Sequence, residues 1–319
     1  MRGCTVRETA PSSRAAFERE FEAPALPVIF TRLAADWPAV ARWDPQRDGL
    51  AHLARLASEA PVEVMLSTNG CFSGSTRDHR PTGMTFGESL ERAVKPSAGV
   101  TSQNIYLAQA PLQRTGAPQP QPLAPLLADL PAEPPCCVPA AKLASTSLWL
   151  SGWRGSCGSI HYDCYHNLLV VLAGKKDVML WSPAETPSMY PQQVGGEAGN
   201  HSELDIAYPT PERHPRFPAA LQRAISVTLL AGDALFIPEG FWHQVNSHGT
   251  TIAVNYWCAC SSAVEPCRGL TRAKSSAQVA LGVQRAGGQP HGRVLRAPAD
   301  GEPRGRGEEA AGGRAGARG

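Results

Sequence analysis

Within "SIHYDCYHNLLVVLAGKKDVMLWSP", Ser159 to Pro183, a His and an Asp stand two residues apart, ahead of an apolar run that ends in two lysines. Residues i and i+2 of a strand share a face, so His161 and Asp163 can aim an imidazole nitrogen and a carboxylate oxygen at one point. Polar groups in a buried strand cost free energy unless something binds them. A third donor has to arrive from another strand, and His243 follows the segment "AGDALFIPEGFW". There Gly232-Asp233 reads as a turn, "ALFI" as a buried strand, Pro238-Glu239-Gly240 as a second turn and "FWHQV" as the returning strand. Two His and one carboxylate on one side of a metal leave the opposite positions open. Oxygen-activating non-haem Fe(II) sites use this set, and so do some zinc enzymes, so ligand type alone does not name the metal.

The elements that must position these donors are short strands. After a proline-rich connection from about Gln113 to Pro139, "STSLWLSG", "NLLVVLAG", "DVMLWSP", "AISVTLLAGDALFIPEGFWHQVNS" and "TTIAVNYWCA" are divided by Gly, Pro and Asp. That spacing predicts an all-β sandwich or barrel. Upstream, "GLAHLARLAS" reads as an amphipathic helix and "PVEVMLST" as a strand. "TFGESLERAV" reads as a helix, with Thr85 and Glu88 at capping-box spacing. Trp37 and Trp43 read as packing anchors.

The 319 residues are 42% hydrophobic and 18% charged, enough for a substantial core. A net charge of +2 is too weak to argue for a nucleic-acid partner. No apolar run approaches the ~18 residues of a membrane span. No apolar core precedes Glu8, which speaks against a secretory signal. The nine cysteines form no regular disulfide framework. Together these features lead to the expectation of a cytoplasmic or nuclear protein with no membrane partner. From Arg285 onward seven arginines face four acids in a Gly/Ala/Arg-rich stretch. The segment 282–319 is expected to be a disordered tail.

"HYD" followed by "NLLVVLAGKKDVMLWSP", "GDALFIPEGFWHQV" and "VNYW", with "PVIFTRLAADWPAVARW" and "IYLAQAPL" upstream, resembles the Jumonji-C (JmjC) family of Fe(II)- and 2-oxoglutarate-dependent oxygenases. The likeness runs from about Phe17 to Cys258 and is closest to small members that consist of little more than the catalytic domain. It implies a mainly β fold with flanking helices, a double-stranded β-helix of the jelly-roll or cupin type. The expected boundaries are a catalytic domain over 14–265, with a helical N-terminal part over 14–100 and a barrel core over 101–262.

Carried over residue by residue, the resemblance makes His161, Asp163 and His243 the iron ligands and Lys176 the partner of the distal carboxylate of 2-oxoglutarate. Tyr106 matches a tyrosine that donates to the same carboxylate. Asn167 and Asn255 match residues that contact the cosubstrate or shape its pocket, and Trp149 an aromatic on the substrate side. Many relatives carry a Ser or Thr three residues before the first ligand. This chain has Gly158 there, which leaves Ser159 as the candidate hydroxyl.

The implied reaction uses 2-oxoglutarate and O2, releases succinate and CO2, and hydroxylates a protein side chain. Alternatives are a tRNA wybutosine-type base hydroxylase, a histone lysine or arginine demethylase and, outside enzymes, a cupin-type binding module. A structural zinc at Cys258, Cys260 and Cys267 lacks an obvious fourth ligand. Small family members can dimerise, but no clear amphipathic C-terminal helix supports that here.

Overall fold

The computed structural model describes residues 4–7, 10–72, 80–94, 103–135, 137–192, 199–206 and 210–259. The expected tail over 282–319, Cys260 and Cys267 lie outside the described residues. The strands are β1 (Thr5–Arg7), β2 (Val28–Phe30), β3 (Pro61–Ser67), β4 (Cys71–Phe72), β5 (Arg80–Thr85), β6 (Asn104–Arg114), β7 (Leu143–Ser151), β8 (Ser156–Gly158), β9 (His166–Trp181), β10 (Ile225–Leu230), β11 (Ala234–Ile237) and β12 (Trp242–Cys258). They form one sheet in the order β1-β2-β11-β9-β12-β7-β6-β3-β5, with β10 beside β9, β8 beside β12 and β4 beside β8. The segment over 14–100, expected to be helical, supplies helices α1 (Arg14–Phe17), α2 (Pro38–Arg42), α3 (Gly49–Ala57) and α4 (Phe86–Ala93). It also supplies β2 to β5, which join the same sheet. Among the described residues no helix is long and apolar enough to cross a membrane.

The axis of the molecule is the antiparallel pair β9 and β12, matched from Trp242 opposite Trp181 to Cys258 opposite His166. "NLLVVLAG" and "DVMLWSP" are not two strands but one, bent at Gly174. That residue has φ +79, and a Cβ there would come within 2.6 Å of Thr251 Oγ1. The register of β12 shifts opposite this bend, between His248 and Ile252. Glycine tolerates the left-handed conformation, so the strand turns without losing its partner. The half of β9 before the bend then pairs with β11, and the half after it with β10.

The half of β9 before the bend carries apolar residues on both faces, as expected of a strand covered on both sides, whereas after it Lys176, Val178 and Leu180 are buried and Lys175, Asp177 and Met179 are more open. Leu169, Val171, Val178 and Leu180 pack inward with Leu235, Ile237 and Phe241. Leu168, Val170 and Leu172 face the opposite way, onto Phe17, Phe30, Phe236 and the N-terminal helices. A third cluster joins Ile160 and Tyr162 to Trp181, Trp242 and Phe217, the last in the connection between β9 and β10. At the start of α4 the expected capping box is present: Glu88 N–H donates to Thr85 Oγ1 at 3.2 Å and Thr85 N–H to Glu88 Oε2 at 2.8 Å.

The N-terminal helices are tied together by one buried carboxylate. Asp129 accepts from Arg42 Nη1 at 2.6 Å and from Trp43 Nε1 at 2.8 Å, and His52 Nε2 lies 2.6 Å away. Burial pushes its pKa up, but the bonds from Trp43, His52 and Arg42 outweigh this and hold it below the ordinary value. Asp129→Asn should therefore destabilise the fold by about 3 kcal/mol at neutral pH, as expected when one member of a buried pair is removed. A depressed folded pKa contributes stability above the unfolded value and loses it as pH falls through the folded value. In paired thermal melts, the gap between wild type and variant should be constant above pH ~4 and close below it.

Candidate metal centre

His161 and His243 face each other as an isolated antiparallel bridge. His161 N–H donates to the His243 carbonyl at 3.0 Å, and His243 N–H to the His161 carbonyl at 2.7 Å. These two bonds bring together donors 82 positions apart in the chain. Asp163 is held by Gly240 N–H, which donates to its backbone carbonyl at 2.9 Å. Its Oδ2 lies 3.3 Å from His243 Nε2 and 3.9 Å from His161 Nε2. One donor atom from each of the three residues lies within 4.8 Å of the others.

Ring orientation follows from the backbone. His161 Nδ1 is 3.0 Å from the Ser159 carbonyl and His243 Nδ1 is 2.9 Å from the Phe241 carbonyl. A carbonyl can only accept, so each Nδ1 carries the proton and each Nε2 keeps its lone pair. This is how metal-bound imidazoles are oriented by outer partners. Burial, with His243 and His201 adding to it, pushes His161 down to about 3 against the opposing pull of Asp163. The ring is neutral at physiological pH and available as a ligand. Two nitrogen donors and one carboxylate oxygen on a single side suit Fe(II).

Lys176 is 2% exposed, on the inward face of β9 with Val178 and Leu180. Its ammonium donates to Ser247 Oγ at 2.8 Å, and among the described residues no carboxylate forms an ion pair with it. Burial lowers its pKa to about 7. Ser247 stands opposite Lys176 on one side and opposite Ser156 of β8 on the other, so three side chains share one face. The Tyr106 hydroxyl lies beside Ser156, its pKa raised by burial. The expected lysine and tyrosine are therefore linked in space through two serines that no local motif marked as a pair.

The remaining expectations divide. Asn255 Nδ2 donates to Asn167 Oδ1, so the two expected asparagines bind each other. Trp149 packs against Tyr106, ring centroids 5.7 Å apart. The Ser159 hydroxyl lies 2.8 Å from His201 Nδ1 and is turned away from the Lys176 row. At Gly158 a Cβ would lie 3.0 Å from the Val245 carbonyl, so β8 approaches β12 too closely there for a side chain without adjustment. His201 was not anticipated. Its ring stacks on His161 at 5.0 Å and 19° because the chain returns beside the His161–Asp163 segment, which forms isolated bridges and not the strand expected, with Tyr162 N–H donating to the Asn200 carbonyl and Ser202 N–H to the Ile160 carbonyl. Nothing periodic in "AGNHSELD" announces that return.

On this jelly-roll sheet two imidazoles and a carboxylate converge on one point that could hold a metal ion, and a buried lysine lies on the β9 and β12 pair. Residues 14–262 match the family described as a cupin-like domain, and the chain belongs to that family as a JmjC-type member, the domain class of 2-oxoglutarate-dependent oxygenases. It is 35% identical over 262 residues to lysine-specific demethylase JMJ31 of Arabidopsis thaliana, covering 76% of this chain and 47% of the relative. It is 27% identical over 253 residues to lysine-specific demethylase JMJ30 of the same plant, covering 79% and 54%. To Jumonji C domain-containing protein 5 of Drosophila melanogaster it is 27% identical over 258 residues, covering 80% and 60%. The chain thus spans about half the length of the curated relatives it matches.

Removing a ligand should cost more than removing an outer partner. Asp163→Ala and His243→Ala should each weaken Fe(II) or Co(II) binding by more than the roughly 10–100-fold typical of outer-partner loss. Anaerobic calorimetric titration reads this, and unchanged affinity in both variants would place the metal elsewhere.

Proposed function

We propose that this chain is an Fe(II)- and 2-oxoglutarate-dependent oxygenase that hydroxylates a protein side chain. The observation that carries the reading is the pairing of a three-donor metal face with a buried lysine whose polar partner, among the described residues, is the Ser247 hydroxyl. An unpaired buried ammonium is costly, and a dicarboxylate whose near end reaches the metal would bring its far carboxylate to that lysine. When bound, iron and 2-oxoglutarate supply the oxidative decarboxylation that places one oxygen atom of O2 on a substrate C–H bond and releases succinate and CO2.

The chain's own part is binding, orientation and shielding. His161, His243 and Asp163 occupy one side of the metal and leave the other to cosubstrate and oxygen. Lys176, Ser247 and the Tyr106 hydroxyl supply donors for the distal carboxylate. Trp149 and Phe72 pack against Tyr106 and keep that end of the pocket dry. Asn167 and Asn255 bridge β9 and β12 on the inward face.

The names of the Arabidopsis relatives support a second reading, demethylation of lysine. The two share a first step, because hydroxylating an N-methyl carbon gives a carbinolamine that expels formaldehyde. Peptide assays separate them. A retained gain of one oxygen marks hydroxylation, whereas loss of a methyl group with formaldehyde release marks demethylation.

The central test is succinate release in air from protein, Fe(II) and 2-oxoglutarate. Lys176→Met should abolish saturable 2-oxoglutarate binding while leaving metal affinity intact. Ser247→Ala should raise the KM for 2-oxoglutarate several-fold with kcat nearly kept. Because the free protein's lysine titrates near 7 and only its charged form attracts a carboxylate, apparent affinity should be flat below that pH and fall above it. Succinate release by Lys176→Met at the wild-type rate and KM would overturn the assignment.

A further inference from the structure

β4 and β8 run parallel with Cys71 directly opposite Cys157 and Phe72 opposite Gly158. Neighbouring strands lie ~4.8 Å apart, inside the roughly 4.4–6.8 Å range of Cα separations that a disulfide spans. The two thiols are close enough to hydrogen-bond, and both residues are reduced and half-buried, within reach of a small oxidant. Among the described residues no other two cysteines occupy paired strand positions.

We propose that Cys71 and Cys157 are a redox modification site, which a hydroperoxide converts to a reversible disulfide joining β4 to β8. The Cys71 sulfur takes one oxygen from hydrogen peroxide, releasing water and leaving a sulfenic acid. The Cys157 sulfur then displaces that hydroxyl, which leaves as a second water with the Cys157 proton. Two thiols lose two electrons and two protons, and one peroxide becomes two waters. Burial first, with Cys71 and Asp205 beside it, pushes the Cys157 thiol up to about 11. It is therefore largely protonated at neutral pH, and the reaction accelerates as pH rises. A small thiol reductant reverses it.

The position gives the bond a consequence. Phe72, next to Cys71, packs on Tyr106 with ring centroids 5.1 Å apart. Ser156, next to Cys157, stands opposite Ser247, the partner of Lys176. The disulfide would fix the strand pair that walls the lysine pocket. The inference itself concerns thiol chemistry and does not depend on the oxygenase reading.

The test is peptide mapping of the full chain after brief hydrogen peroxide treatment and alkylation of the remaining thiols. The expected result is a linked Cys71 and Cys157 peptide pair, two fewer alkylated thiols and full recovery of both with dithiothreitol. In Cys71→Ser the linked pair should vanish and Cys157 should stay alkylatable, while Cys4→Ser should retain the link. Wild-type protein in which both thiols are still alkylated, or in which Cys157 is joined to another cysteine, would overturn the proposal.

Discussion

Two backbone hydrogen bonds, exchanged between His161 and His243, set the geometry on which the metal face depends. Each ring is then oriented by a carbonyl two residues before it, the Ser159 and Phe241 oxygens. Ligand direction is therefore a property of strand pairing more than of side-chain packing. Because side chains alternate along a strand, a slip of one residue between β9 and β12 would turn His243 outward. The long match from Trp242 to Cys258 resists such a slip, and the bend at Gly174 lets that match continue around the barrel. The same register that aims His243 at the metal sets Ser247 opposite Lys176.

Lys176 poses the opposite problem. An inward-facing ammonium among Val178, Leu180 and Leu229 works against folding, and an apolar residue of similar length would stabilise the barrel more. A fold keeps such a group when binding an anion repays the cost, and local violations of this kind concentrate at functional sites. Its single hydroxyl partner, Ser247, orients the charge without neutralising it. The site therefore combines a three-donor face preset by the backbone with a buried amine held by a serine hydroxyl.

Much of this was legible in the residues. Alternation put His161 and Asp163 on one face, and turn residues marked the hairpin that returns His243. The Thr85 and Glu88 spacing located the start of α4. What was not legible depends on register between distant strands. Ser156 and Ser247 meet only because β8 pairs with β12, and Lys176 joins them only because β9 does. Gly174 reads as a divider in sequence because a glycine that ends a strand and one that bends it look alike. Asp129 lies in a proline-rich connection and becomes a hub only when Arg42, Trp43 and His52 converge on it.

The connection between β9 and β10 supports the segment that carries His161 and Asp163. Tyr162, between His161 and Asp163, packs against Trp242 at 4.8 Å, beside Phe217 and Met189 of that connection. Asn200 and Ser202 meanwhile bond the backbone of the ligand segment on its other edge. His161 and Asp163 are thus carried on a strip held between β12 and the connection, with His201 laid against one ligand ring. A change in this connection would therefore also shift the strip that carries His161 and Asp163, because the two share backbone hydrogen bonds.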